Sequence, residues 1–231
     1  MSDFFGKILE LFTTSAYLDS MLQGFWLTLK IAFFAIIISF ILGLLIALIK
    51  IAKPSPWLVL PKALCNIYVT VIRGTPMALQ LFIMFFVIFA IRDFPEVLTA
   101  IIAFGLNSAA YSSEIFRSGI LSVDKGQKEA GLALGLPNRT VFSHIVVPQA
   151  LKNSIPPLGS EIITVIKETA IVSMVGMYDL NMAAKDIGSG QNMASYIVPM
   201  FVAALFYLAT IYIITIIINL IEKRLRKSDL S

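Results

Sequence analysis

Polar side chains recur at helical spacing within two otherwise apolar stretches of the sequence. In the first stretch, Asn107 and Tyr111 are four residues apart, and the same helix face continues through Glu114. In the second stretch, a similar face carries Glu161, Thr164 and Glu168. Two such faces on neighbouring helices can form the walls of a water-filled cavity.

These residue types have the chemistry needed to bind a small zwitterion such as a free amino acid. Its ammonium group needs an anion, which Glu161 or Glu168 can provide, and its carboxylate needs a cation or an amide, which Lys167 or Asn107 can provide. We therefore hypothesise a binding site formed by Asn107, Tyr111, Glu161, Thr164, Lys167 and Glu168. A Glu–Lys bridge between helices, or a contact with a second chain, would use the same residues.

The composition places these polar residues in a membrane protein. Of the 231 residues, 58% are apolar and 14% are charged, whereas soluble domains carry about 25% charged residues. This excludes a disordered chain, a nucleic-acid-binding protein and an ordinary cytosolic enzyme. A charge at the centre of a bilayer costs at least about 2.5–3.5 kcal/mol, so charges within the apolar stretches are expected to face a cavity or a partner.

Five apolar stretches predict about five transmembrane helices in an all-α protein. A closed barrel would instead show shorter segments of alternating hydrophobicity. We predict one transmembrane domain over residues 20–227, with its spans at residues 26–49, 63–91, 97–120, 155–175 and about 196–221.

The N-terminal segment, residues 1–19, is predicted to be a short amphipathic helix on the membrane surface. Phe5, Ile8, Leu9 and Phe12 fall on one face, and charged residues lie off that face. The same charges argue against a signal peptide. A frayed polar tail is the alternative.

The distribution of basic residues predicts the orientation. The loops after the first and third spans and the C-terminal tail carry 12 of the 18 Lys and Arg residues, and the opposite side carries three. Basic residues concentrate on cytoplasmic loops. We therefore expect the N-terminus outside, the C-terminus in the cytoplasm and the lipid bilayer around the helices.

The second apolar stretch is interrupted by Arg73, Gly74, Thr75 and Pro76. Pro76 removes a helical hydrogen bond, and Gly74 relaxes the backbone. The four residues are predicted to form a hinge or gate, or else a packing kink in which Arg73 pairs with an acid.

The cytoplasmic loop, residues 121–152, has its own helical pattern. Asp124 can cap a short helix that ends at Gly135 in the left-handed conformation, and Pro137 or Asn138 can start another turn. The apolar faces of these two helices predict either a docking site for a soluble partner or a helix pair resting on lipid.

This loop resembles the EAA loop of ABC-importer permeases, which reads Glu-Ala-Ala, three residues, Gly, nine residues, Ile-x-Leu-Pro. The spacing matches throughout, and the sequence departs from the pattern only at Gly131 and Val147. The matching positions are Glu129, Ala130, Gly131, Gly135, Ile145, Val147 and Pro148.

Three further segments resemble the permeases that import polar amino acids. They are residues 73–76, residues 107–120 and residues 167–173. With the EAA loop they follow the family order, and the likeness covers roughly residues 20–227.

The resemblance implies the fold and partners of a type I ABC importer. The chain would be a multi-pass permease of the bacterial cytoplasmic membrane that carries a polar amino acid by alternating access. Its partners would be a second permease chain, identical or related, a cytoplasmic ABC ATPase dimer that receives the EAA loop, and an extracytoplasmic substrate-binding protein.

The chain itself is expected to be a transport subunit and not an enzyme. It has no phosphate-binding loop of the G-x-x-x-x-G-K-[ST] type, so ATP and Mg are expected on the partner ATPase, with no cofactor or metal on this chain. The single His144 and single Cys65 make a His/Cys metal cluster implausible.

Two other functions are compatible with the buried charges to a lesser degree. An ion- or proton-coupled secondary transporter could use Glu161, Lys167 and Glu168 as a relay, but such folds need more spans or an inverted repeat. A membrane anchor or sensor would not need charges on two helices. Which amino acid is carried, and whether the two permeases are identical, stays open.

Overall fold

The computed structural model describes residues 2–190 and 195–226. Part of the approach to the predicted fifth span, and the tail from residue 227 onward, therefore lie outside the described residues. The described backbone is helical and contains no strand, as the fold class predicts. Its α-helices are α1 (Ser2–Thr13), α2 (Ser15–Ile51), α3 (Pro56–Arg73), α4 (Met77–Ile83), α5 (Glu96–Leu121), α6 (Lys125–Ala133), α7 (Asn138–Val141), α8 (Val147–Glu168), α9 (Leu180–Ser189) and α10 (Ile197–Arg226).

Three segments extend or follow these helices with altered hydrogen-bond spacing. Met84–Ile88 and Phe142–Val146 are π-helical, and Thr169–Val175 is a 3₁₀-helix that follows α8. The predicted fourth span therefore changes helix type at Thr169. Such changes alter the direction in which successive side chains point.

Two of the described helices, α2 and α10, are long and apolar enough to cross a membrane. The pair formed by α3 and the segment Met77–Ile88 would count as a third if it is one broken span. Helices α5 and α8, with 26 and 22 residues, are more polar. The total of five spans and the single domain over residues 20–227 therefore stay predictions.

The predicted break in the second apolar stretch is confirmed. Helix α3 ends at Arg73, Gly74 donates its backbone N–H to Thr70 O at 3.0 Å, and α4 starts only at Met77. Pro76 immediately precedes α4, where its missing N–H breaks no helical hydrogen bond, so the expectation that it removes one is wrong.

The chain divides into two compact units. Unit 1 comprises Met1–Ile36, Met77–Phe104 and Ile163–Ile214, and unit 2 comprises Ile37–Pro76, Gly105–Ile162 and Thr215–Ser231. The core of unit 1 is formed by Leu11, Met21, Leu180, Ala183, Ala184, Ile187, Val202 and Ala203.

Helix α1 covers Ser2–Thr13 of the predicted N-terminal segment, residues 1–19, whereas the part of that segment from Ser15 onward belongs to α2. Leu11 is fully buried in the core of unit 1, whereas Phe5, Leu9 and Phe12 of the predicted apolar face are exposed. An apolar face that the chain leaves uncovered fits a helix lying on lipid.

A buried carboxylate starts α9 within unit 1. Asp179 Oδ1 accepts from the backbone N–H of Met182 at 2.9 Å. Burial raises the pKa of Asp179 to about 6. A Cβ added at Gly24 would lie 2.5 Å from the backbone oxygen of Asp179. Glycine at this position therefore allows α2 to approach the start of α9 closely.

In unit 2, the helices α2, α5 and α8 pack closely against one another. Ala47, Phe116 and Leu158 form its core cluster, against which Phe40 packs. Near the end of α5, a Cβ on Gly119 would lie 2.9 Å from the backbone oxygen of Ala150, so the two helices touch through backbone atoms.

We expect Gly119→Ala to destabilise the protein by about 1–3 kcal/mol, because the added methyl group pushes α5 away from α8. The matched control is Gly6→Ala, since a Cβ at Gly6 meets no atom within 4 Å and alanine favours the helix. The midpoint of thermal unfolding in detergent should fall for Gly119→Ala only. Equal midpoints for the two variants would contradict the close approach.

Candidate functional site

A chain of hydrogen-bonded side chains links three helices inside unit 2. Ser39 Oγ on α2 donates to Ser108 Oγ on α5 at 2.9 Å, and it shares a second hydrogen bond of 2.8 Å with Ser112. Ser108 Oγ in turn donates to Glu161 Oε1 on α8 at 2.5 Å. The three serines are fully buried, and Glu161 is half-buried. One carboxylate oxygen of Glu161 is thus held by the protein.

A cation lies over an aromatic ring of α5. The guanidinium carbon of Arg73 is 5.2 Å from the centroid of the Tyr111 ring, a cation–π distance. The sequence offered two roles for Arg73, a hinge or gate and a kink paired with an acid, and both stay hypotheses.

Within unit 2, opposite charges contact α5 about one turn apart, because Arg73 lies over Tyr111 and Glu161 accepts from Ser108. Arg73 is exposed at the end of α3, Tyr111 is half-buried, and Asn107 is 5% exposed one turn earlier on α5. Arginine binds carboxylates through several parallel N–H donors, and a carboxylate binds ammonium groups. These groups are therefore of the types that can bind the two charged ends of a zwitterion.

The remaining predicted binding residues belong to unit 1. Thr164 and Glu168 are half-buried, and Lys167 is exposed. They lie on α8 beyond the boundary at Ile163, so unit 2 by itself brings together Arg73, Asn107, Tyr111 and Glu161. The binding role of all six predicted residues stays a hypothesis.

The serines were missed in the sequence analysis, although a signal existed. Small hydroxyl residues within apolar helices need a hydrogen-bond partner, and a neighbouring helix is the usual source. Ser39 lies alone in the most apolar part of α2. That isolation predicts a partner, but only the structure identifies it as Ser108.

A separate charged cluster lies nearer the cytoplasmic loop. Glu114 accepts from Lys50 Nζ at 2.5 Å and from Arg117 Nη2 at 2.8 Å. The side chains of Lys50 and Glu114 are 14% and 19% exposed. Arg117 lies three residues after Glu114 on α5, and Lys50 adds a second cation from α2.

We expect Glu114→Gln to lower stability by about 1–3 kcal/mol, because two cations lose their common anion. The control is Arg92→Gln, since the Arg92–Asp93 pair is 96% and 93% exposed and such pairs contribute little. Thermal unfolding should show a lower midpoint for Glu114→Gln and no change for Arg92→Gln. A Glu114→Gln variant as stable as the unmodified protein would show that this charged cluster does not stabilise the fold.

The loop between α5 and α8, which is predicted to be cytoplasmic, contains the predicted helix cap and left-handed turn. Asp124 Oδ1 accepts from Gly126 N at 2.6 Å and caps α6. Gly135 follows α6 with a φ of +80°, the left-handed conformation that terminates helices. Asn138 then begins α7, with Pro137 before it.

The departure from the EAA pattern at Gly131 has a steric explanation. A Cβ at Gly131 would lie 2.9 Å from Ile145 Cδ1 and 3.0 Å from Val141 Cγ2. Gly131 is buried and lets α6 pack tightly against the segment that carries Ile145. The packed pair leaves Leu134 82% exposed, together with Glu129 and Ala130.

Comparison with known proteins agrees with the resemblance seen in the loop. Residues 40–227 match the family described as the binding-protein-dependent transport system inner membrane component. Arginine transport system permease protein ArtQ of Bacillus subtilis (strain 168) is 37% identical over 225 residues, covering 96% of this chain and 99% of ArtQ. Putative glutamine transport system permease protein GlnP of Rickettsia felis is 36% identical over 208 residues, covering 89% of this chain and 92% of that protein.

A solved structure agrees with the fold. The crystal structure of an amino acid ABC transporter with histidines superposes with a TM-score of 0.82 at 34% identity, covering 93% of this chain and 98% of that one. The chain belongs to the family of inner membrane components of binding-protein-dependent transport systems.

Proposed function

We propose that this chain is the permease subunit of an ATP-driven importer of a polar amino acid. The observation that carries the proposal is that two opposite charges contact α5 about one turn apart, since Arg73 lies over Tyr111 and Glu161 accepts from Ser108. The names of the relatives, which refer to arginine and glutamine, support an amino acid as substrate.

In this proposal the substrate binds through both of its charged ends. Its carboxylate is held by Arg73, and its ammonium group by the oxygen of Glu161 that Ser108 does not occupy. Asn107 and Tyr111 contribute neutral donors from α5.

The energy comes from a partner. Two cytoplasmic ATPase subunits bind ATP and Mg, and their closure moves the EAA loops together, so that the cavity opens alternately to the two sides. A second permease chain forms the other half of the cavity, and an extracytoplasmic binding protein delivers the substrate. The bacterial inner membrane is the proposed location, in agreement with the family description.

The experiment is a substrate panel with the assembled complex. The chain is co-expressed with the candidate ATPase and binding protein, purified, and tested in proteoliposomes with arginine, glutamine and cystine. We expect the ATPase to co-purify and one polar amino acid to accumulate. A chain that retains no ATPase and transports none of the panel would contradict the proposal.

The proposed orientation predicts a labelling pattern. In a Cys65→Ser background, Ser15→Cys should react with an impermeant thiol reagent from outside, whereas Ser228→Cys, which lies outside the described residues, should react only after permeabilisation. The reason is the excess of basic residues on the predicted cytoplasmic side. The opposite pattern in intact cells would reverse the span assignment.

A further inference from the structure

A cavity of about 480 Å³ lies within unit 2, next to the cytoplasmic loop. The ends of α2 and α5 form one side, and the loop segment around Phe142 forms the other. Its wall is mainly apolar, through Leu48, Ile51, Ile120, Leu121, Phe142 and Val146. The residues that line this cavity include neither Arg73 and Glu161 of the candidate binding site nor the exposed Leu134.

Three lysines also border the cavity, namely Lys53, Lys125 and Lys128. Each is exposed, and none forms an ion pair within the part of the chain that the structure describes. The bordering acid is Asp124, whose Oδ1 is already engaged in capping α6. The rim of the cavity is therefore cationic.

Neighbouring residues place the cavity at the membrane surface. Trp57 is 89% exposed at the start of α3, four residues after Lys53. Tryptophan concentrates at the level of lipid headgroups, and basic pockets on the cytoplasmic side of membrane proteins bind anionic headgroups.

We propose that this cavity binds an anionic phospholipid of the cytoplasmic leaflet. An acyl chain fills the apolar part, and the phosphate lies among the three lysines. A free phosphate ion would leave the apolar walls without a partner, and a neutral lipid would leave the cationic rim without one. The charge and polarity of the cavity together favour the anionic lipid.

This site would make transport depend on lipid charge. Lys125 and Lys128 are on α6, the helix that Gly135 terminates. A lipid held there steadies α6 at the end of the membrane helices. Lipid retention and transport are measured separately, so that a loss of one can be distinguished from a loss of the other.

The test compares two charge-matched double variants of the full complex. Lys53→Gln with Lys128→Gln removes two cavity lysines, and Lys223→Gln with Arg224→Gln removes two basic residues near the end of α10, which do not border the cavity. Native mass spectrometry measures retention of phosphatidylglycerol against phosphatidylcholine. We expect the cavity variant to lose roughly 30-fold in preference for phosphatidylglycerol and the control to retain it.

A second measurement maps the lipid on the unmodified complex. Phosphatidylglycerol with a photoactivatable acyl chain should crosslink to the ends of α2 and α5, and uptake should rise with the phosphatidylglycerol fraction of the vesicles. Equal loss of preference in both variants, or crosslinks elsewhere only, would overturn the proposal. So would release of the ATPase from the cavity variant in lipid-free detergent, because the lysines would then bind that protein.

Discussion

Replacing Gly135 with valine is expected to reduce coupled transport by roughly 5- to 30-fold in a chain that still folds and inserts. Gly135 has a φ of +80°, and a β-branched residue in that conformation is strained by roughly 1–2 kcal/mol. A Cβ there meets no atom within 4 Å, so the cost is conformational and not steric. A strain of this size shifts the population of correctly oriented loops by roughly 5- to 30-fold.

Asparagine provides the matched control at the same position. Asn enters the left-handed conformation more readily than other residues with a side chain, so Gly135→Asn should keep most activity. ATP hydrolysis stimulated by the loaded binding protein, and uptake in proteoliposomes, are the measurements. If Gly135→Val couples as well as Gly135→Asn, the loop is not the element that contacts the ATPase.

Replacing Glu161 with glutamine is expected to raise the substrate concentration for half-maximal uptake by about 10- to 150-fold. Glutamine keeps an oxygen that accepts from Ser108, but it loses the charge that would hold the ammonium group. A hydrogen bond to a charged group contributes about 1.5–3 kcal/mol. Arg73→Gln should have a similar effect through the substrate carboxylate, and Lys167→Met tests the cation that the sequence analysis proposed.

The control for this series is Glu96→Gln. Glu96 is an exposed acid at the opposite end of α5 from the cytoplasmic loop, so it loses the same charge outside the proposed cavity. Complex assembly and basal ATP hydrolysis should persist in all variants. Unchanged uptake kinetics in Glu161→Gln and Arg73→Gln would leave only a structural role for the cluster.

Helix positions followed from local sequence signals. The apolar runs predicted α2, α5 and α10, and the Gly74–Pro76 break predicted the end of α3. The cap at Asp124 and the turn at Gly135 were predicted because their chemistry depends on a few adjacent residues. The type of helix after Glu168 was not predicted, since apolar periodicity does not separate a 3₁₀-helix from an α-helix over seven residues.

Contacts between distant parts of the chain were harder to predict. Periodicity placed Tyr111 and Glu161 on polar faces, but it could not show that Arg73 lies over Tyr111 or that Ser39 bonds to Ser108. Those pairs depend on the register between helices, which packing decides. The reason for glycine at position 131 was likewise not predictable, because it depends on the close contacts with Ile145 and Val141 in the folded loop.

The central claim is that this chain transports an amino acid with energy from a partner ATPase. Accumulation of a labelled polar amino acid in proteoliposomes that contain both permeases and the ATPase tests it most directly, with ATP on the ATPase side and binding protein on the other side. We predict accumulation that requires both ATP and binding protein and that persists when ionophores dissipate proton and sodium gradients. Accumulation driven by an imposed proton or sodium gradient without ATP would contradict the claim and would favour a secondary transporter.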